Sequence, residues 1–111
     1  MKLKTIIDEL GLCEVFLTGE KAGGLDVRSV YCGDLLSDVL AHVQPQAIWF
    51  TIQAHVSIIA VAQLREIACV VITNGVAPDP QTIAKARDQG VNLCSSTESS
   101  AGLCMKLAGK L

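Results

Sequence analysis

Hydrophobic positions along this chain switch repeatedly between a helical spacing and short continuous runs, and the switches divide it into alternating elements. Ile6, Ile7 and Leu10 share one face of a helix over Lys4–Leu10, with Gly11 as its stop. Cys13–Leu17 reads as the first strand, and Thr18–Leu25, with Gly19, Gly23 and Gly24, reads as a loop. Val27–Tyr31 is a short strand. A helix is expected from Asp34, because Leu35, Leu36, Val39, Leu40 and Val43 form one stripe and Pro45 prevents continuation.

Ala47–Ile52 is rich in strand formers and reads as a buried strand. Ser57 can cap a helix over Ile58–Ile67 that is apolar on nearly every side up to Gln63, as a helix covered on two sides would be. Cys69–Ile72 is a continuous apolar run, the pattern of a strand buried on both faces. Asp79-Pro80 opens the next helix and Gly90 closes it. Val91–Cys94 forms a further strand, and Thr97–Leu111 a last helix with Leu103, Cys104, Leu107, Ala108 and Leu111 inward. Strands separated by helices imply right-handed crossovers, so the expected fold is α/β: three layers, α/β/α, around a mainly parallel sheet. With no linker or repeat, residues 1–111 read as one domain.

Composition changes this picture in two respects. Half of the 111 residues are hydrophobic and mean hydropathy is +0.45, more than so small a domain buries within itself, so a homodimer is expected. Net charge of −2 and 4% aromatic residues argue against nucleic acid or an anionic membrane as the partner. No stretch approaches the ~20 apolar residues needed to span a bilayer. Asp8 and Glu9 follow the N-terminal lysines where a signal peptide would be apolar, which points to the cytoplasm. Five cysteines with no CxxC spacing suggest reduced, structural thiols and neither a metal nor a cofactor.

Candidate chemistry gathers at the carboxyl ends of the strands, where parallel sheets bind ligands. Gln53, His55, Asn74, Ser95, Ser96 and Thr97 each follow an expected strand, and together they define a pocket for a small anionic ligand. The alternative is that they only make turns and caps. Ser95–Ser100 carries five hydroxyls at a helix start, a setting that suits phosphate, with Ser96 or Thr97 as the cap. Gly19–Gly24 is not a phosphate-binding loop, because Leu25 stands where its lysine is required. His55 has no acid or nucleophile at diagnostic spacing, so no catalytic residue is assigned and the chain reads as a non-enzyme. His42 reads as a helix C-terminal residue. Cys69, Cys94 and Cys104 read as core, and Cys32, before a helix start, as the thiol whose acidity the dipole could raise.

The strings Val30-Tyr31-Cys32-Gly33-Asp34-Leu35-Leu36-Ser37-Asp38-Val39 and Trp49-Phe50-Thr51-Ile52-Gln53-Ala54-His55, running into Ile58–Ala62, resemble the DRTGG domain family. Thr73-Asn74-Gly75, Pro78-Asp79 and Leu93–Thr97 extend the resemblance over nearly the whole chain. The naming pentapeptide is not present literally; Asp26-Val27-Arg28-Ser29-Val30 occupies its region. The resemblance implies a three-layer unit like the N-terminal domain of HPr kinase/phosphatase. It also implies a regulatory role: the family accompanies CBS domains in regulated pyrophosphatases, occurs in phosphotransacetylases, and lies at dimer interfaces that receive adenine nucleotides. On this reading the chain is a stand-alone copy that senses a small anion, with an adenine nucleotide foremost. The alternative is an interaction subunit that docks a partner enzyme, as in hydrogenase or signalling systems, without a ligand of its own.

Overall fold

In the computed structural model, which describes residues 1–111, five strands form one sheet in the order β1-β5-β4-β3-β2. The elements are α1 (Leu3–Leu10), β1 (Cys13–Phe16), a 3₁₀ turn (Glu20–Gly24), β2 (Ser29–Cys32), α2 (Leu36–His42) and β3 (Ala47–Thr51). α3 (Ser57–Leu64), β4 (Cys69–Ile72), α4 (Pro80–Gln89), β5 (Leu93–Ser95) and α5 (Ser100–Leu107) follow. β2, β3, β4 and β5 pair in parallel, while β1 pairs with β5 antiparallel at one edge. The three-layer α/β/α architecture is as expected. No helix is long and apolar enough to cross a membrane.

Topology decides which helix covers which face. From β2 to β5 each strand lies beside its predecessor, always in the same direction, so every right-handed crossover lands on the same side. α2, α3 and α4 therefore share one face. There Val39, Val43, Ile58, Ile59, Ala62 and Ala86 pack on Trp49, Val70, Ile72 and Leu93. The terminal helices α1 and α5 cover the other face, where Leu3, Ile6, Leu10, Leu103 and Leu107 meet Ile48, Phe50, Cys69, Val71 and Cys94. Alternate residues of β3 thus face opposite cores, and all five are buried, which explains its unbroken apolar run.

Several local expectations are corrected. β2 runs from Ser29 to Cys32 rather than from Val27 to Tyr31. α2 begins at Leu36, and only its Val39 is buried; Leu35 and Leu40 of the expected stripe are exposed. α3 ends at Leu64, not Ile67, because Glu66 adopts a positive φ of 54°. Its outer side carries Ala60 and Leu64 beside Gln63, so it is apolar on nearly every side up to Gln63, as expected. Ser57 is its first residue and makes no capping bond. α4 starts as expected at Pro80, but Asp79 accepts the Thr82 and Ile83 amides through its backbone carbonyl rather than its side chain. α5 begins at Ser100 instead of Thr97, with Ser99 as the cap, its hydroxyl oxygen accepting from the Gly102 amide.

Candidate functional site

The face change at β5 opens a crevice at the carboxyl edge of the sheet. After β4 the chain turns toward α4 on one face; after β5 it turns toward α5 on the other. Loops that part in this way leave a gap between them, which is where open α/β sheets bind ligands. A cavity of about 430 Å³ lies there, walled by Gly75, Val76, Ala77 and Pro78 from the first loop and Ser95, Ser96 and Thr97 from the second. Gly11 and Cys13, at the start of antiparallel β1, close its far side. The volume is within the usual range for small-molecule sites.

Backbone bonds hold the two loops in place. Thr73-Asn74-Gly75-Val76 is a tight turn closed by the Val76 amide on the Thr73 carbonyl. Both central residues have positive φ, 61° at Asn74 and 70° at Gly75, conformations that asparagine and glycine tolerate best. The amides of Asn74 and Gly75 donate across the crevice to the carbonyls of Glu98 and Ser96, and the Ser96 amide donates to Ile72. Within the second loop, the Ser96 hydroxyl accepts the Glu98 amide at 3.1 Å. Ser100 pairs its hydroxyl with Thr73 at 2.9 Å. Hydroxyl bonding in this segment runs through Ser96, Ser99 and Ser100, leaving the hydroxyls of Ser95 and Thr97 free.

Three of the six residues expected from the sequence, Ser95, Ser96 and Thr97, therefore line one cavity, and Asn74 sits in the turn beside it. Gln53 and His55 do not line it. β3 and β4 send their loops to the same face, so no gap opens between them. Instead the segment after β3 is bonded into its surroundings. Gln53 Nε2 donates to the Asp34 carbonyl at 2.8 Å. The Ala54 carbonyl accepts both the Thr82 hydroxyl and the Asp79 amide. The His55 ring pairs with the Ser57 hydroxyl and accepts the Ser57 amide.

The cavity wall carries no charged side chain: hydroxyls and backbone on one side face Val76, Ala77 and Pro78 on the other. Glu98, next to the serines, is neutralised by Lys106 at 2.7 Å. α5 starts three residues beyond Thr97, and its first turn is not part of the wall. Such an arrangement can accommodate a flat apolar group and offer hydroxyl hydrogen bonds, and its far side carries one free thiol, Cys13.

Sequence reading missed a second cavity, about 350 Å³, at the amino edge of the sheet. Its wall joins Thr18, Lys21 and Ala22 of the 3₁₀ turn and Leu25 just after it to the C-terminal ends of α3 and α4 and the segment leading into β5. No local motif marks it, because it arises only when the loop after β1 folds back over β4 and β5. Its most buried polar residue, Asn92, is fully engaged: Oδ1 accepts the Thr18 amide at 2.8 Å and Nδ2 donates to the Ala68 carbonyl at 2.9 Å.

Two titratable groups near the carboxyl edge are shifted. The Tyr31 hydroxyl titrates above its ordinary value because it donates to Asp38, whose negative charge disfavours a phenolate. Burial and the neighbouring Cys104 thiol push Cys32 up to about 12, the opposite of what a helix dipole would do. α2 begins four residues further on, too far for its N-terminus to act. His42 ends α2 exposed and bonded to Asp38, as expected.

No family model matches the chain, and none of the curated proteins does. Among solved structures, the chain is similar to the CBS and DRTGG domains of the regulatory region of Clostridium perfringens pyrophosphatase, in complex with its activator diadenosine tetraphosphate. The TM-score is 0.78 at 14% sequence identity, over 99% of this chain and 47% of that one. The two share a fold, and this chain spans about half the length of that protein chain.

Proposed function

We propose that the chain is a DRTGG-type regulatory module that binds a small anionic ligand, an adenine nucleotide in the first instance, in the carboxyl-edge cavity and does so as a homodimer. The observation that carries this reading is the crevice itself. It forms where the chain changes face, and it sets the free hydroxyls of Ser95 and Thr97 opposite the apolar wall of Val76, Ala77 and Pro78. The adenine ring packs on that wall, and the phosphates face the hydroxyls of Ser95, Ser96 and Thr97 with Asn74 beside them. Gln53 and His55 lie on the same edge of the sheet, outside the crevice. The nucleotide activator of the pyrophosphatase regulatory region supports the choice of ligand. With no lysine or arginine in the wall, affinity is weak and regulatory, and no reaction is catalysed.

The test is melting of the protein against a panel of adenine and guanine nucleotides, diadenosine polyphosphates and inorganic phosphate. A ligand at ~100 times its dissociation constant adds about 2.7 kcal/mol, readily seen as a higher melting temperature. Light scattering should give twice the 11.7 kDa chain mass. A second reading, docking onto a partner enzyme without a ligand, draws on the exposure of Leu35 (68%), Leu64 (69%) and Met105 (78%). It takes over if no compound in the panel shifts the melt.

A further inference from the structure

We infer that Cys32 and Cys104 form a redox-active dithiol that closes reversibly to an intramolecular disulfide. The two sulfur atoms lie 2.8 Å apart, although the residues are 72 positions apart in sequence. A disulfide bond is about 2.05 Å long, so less than ~1 Å of approach separates the thiols from a covalent bond. The backbone on both sides is already anchored. Cys32 ends β2 opposite Phe50, and the next amide, of Gly33, donates to the Phe50 carbonyl. Cys104 lies in the middle of α5, one turn after Ser100, whose carbonyl accepts the Cys32 thiol at 3.9 Å and whose hydroxyl pairs with Thr73. Closure therefore asks for side-chain rotation rather than movement of β2 or α5.

Accessibility separates this pair from the other thiols. Cys32 is exposed and Cys104 half-buried, so a soluble oxidant can reach them. Cys69 and Cys94 are 3.8 Å apart on neighbouring strands, but both are fully enclosed by the core beneath α1 and α5. Cys13 is exposed and has no sulfur partner.

The oxidant is a low-molecular-weight disulfide. One protein thiolate attacks a sulfur of that disulfide, forming a mixed disulfide and expelling one small thiolate. The second protein thiol loses its proton to solvent and attacks the protein sulfur of the mixed disulfide, expelling the other small thiolate. The two cysteines give up two electrons and two protons, and the disulfide is reduced to two thiols. The raised thiol value of Cys32 makes its thiolate scarce at neutral pH and a poor leaving group, so both closing and reopening are slow while the closed form is favoured. Once closed, the bond ties the carboxyl end of β2 to α5, the helix that follows the candidate ligand loop.

The test is incubation of the reduced full-length chain with oxidised glutathione at graded ratios to reduced glutathione, followed by intact mass and peptide mapping. The expected result is loss of the mass of two hydrogen atoms, a single cross-linked pair of peptides containing Cys32 and Cys104, and reversal by dithiothreitol. Closing so long a loop should raise the melting temperature by about 10 °C. Cys32→Ser and Cys104→Ser should each abolish the mass loss while melting like the reduced wild type. If either variant fails to fold, the wild-type peptide map alone decides. Five free thiols after oxidation, a bond mapped to Cys69 and Cys94, or cross-links only between chains would overturn the inference.

Discussion

At the amino edge of the sheet, Asn92 uses both ends of its amide to tie Thr18 to Ala68 beneath the cavity wall. At the carboxyl edge, the hydroxyls of Ser95 and Thr97 face a cavity of similar size with no protein partner. At the first edge the buried amide ties the fold together; at the second, two hydroxyls have no protein partner. The difference follows from topology. Consecutive crossovers to one face seal the loops against each other, and where the chain changes face the two loops are tied by backbone bonds from Asn74, Gly75 and Ser96 yet leave a cavity beside them. Within the carboxyl edge, the side chains of Gln53 and His55 after β3 are bonded to their surroundings, whereas after β5 the hydroxyls of Ser95 and Thr97 have no protein partner.

Substitutions can break this comparison, and the largest effect is expected at the amino edge. Asn92→Ala would leave the buried Ala68 carbonyl and the part-buried Thr18 amide unpaired and should cost about 2 kcal/mol, read from the denaturant midpoint. A loss below about 1 kcal/mol would mean the residue is not structural. Next comes Asp34, whose Oδ1 accepts the Thr51 hydroxyl and the Ile52 amide, both at 2.9 Å. Asp34→Ala should cost about 1.5 kcal/mol by the same measurement, since Thr51 is buried and keeps no other partner for its proton. If stability is unchanged, the segment after β3 is not sealed by these bonds.

Ser99→Ala removes the cap of α5 and should cost about 1 kcal/mol, with helix content otherwise intact. An equal loss from Thr97→Ala would instead restore Thr97 as the cap. The smallest effect on stability is expected from Ser95→Ala with Thr97→Val, within about 0.5 kcal/mol, because neither hydroxyl holds the fold. The same pair should erase the melting shift given by adenine nucleotides. A shift that survives would move the ligand elsewhere.

Much of this arrangement was legible in the sequence where punctuation is local. Gly11, the Pro80 start and Gly90 bound their helices because backbone conformation at those residues is decided by their own chemistry. The buried run of β4 announced a strand covered on both faces. The cap of α5 was not legible, because five hydroxyls in six residues offer several equivalent oxygens and only the path of the chain selects Ser99. The pocket was half legible. A position after a strand is a local property, but which strand ends share a gap depends on where each loop goes next, and β1 entering antiparallel beside β5 is a long-range event. The contact between Cys32 and Cys104 has no local signature at all.

A ligand held in the carboxyl-edge crevice would touch the β4 and β5 loops and leave the amino edge alone. Backbone amide NMR of the labelled chain, titrated with an adenine nucleotide, reads both edges in one experiment. Saturable shifts are expected at Gly75, Val76, Ala77, Ser95, Ser96 and Thr97, with Thr18, Lys21, Gly90 and Asn92 unmoved. Shifts centred on the amino-edge residues, or none at either edge, would contradict that placement.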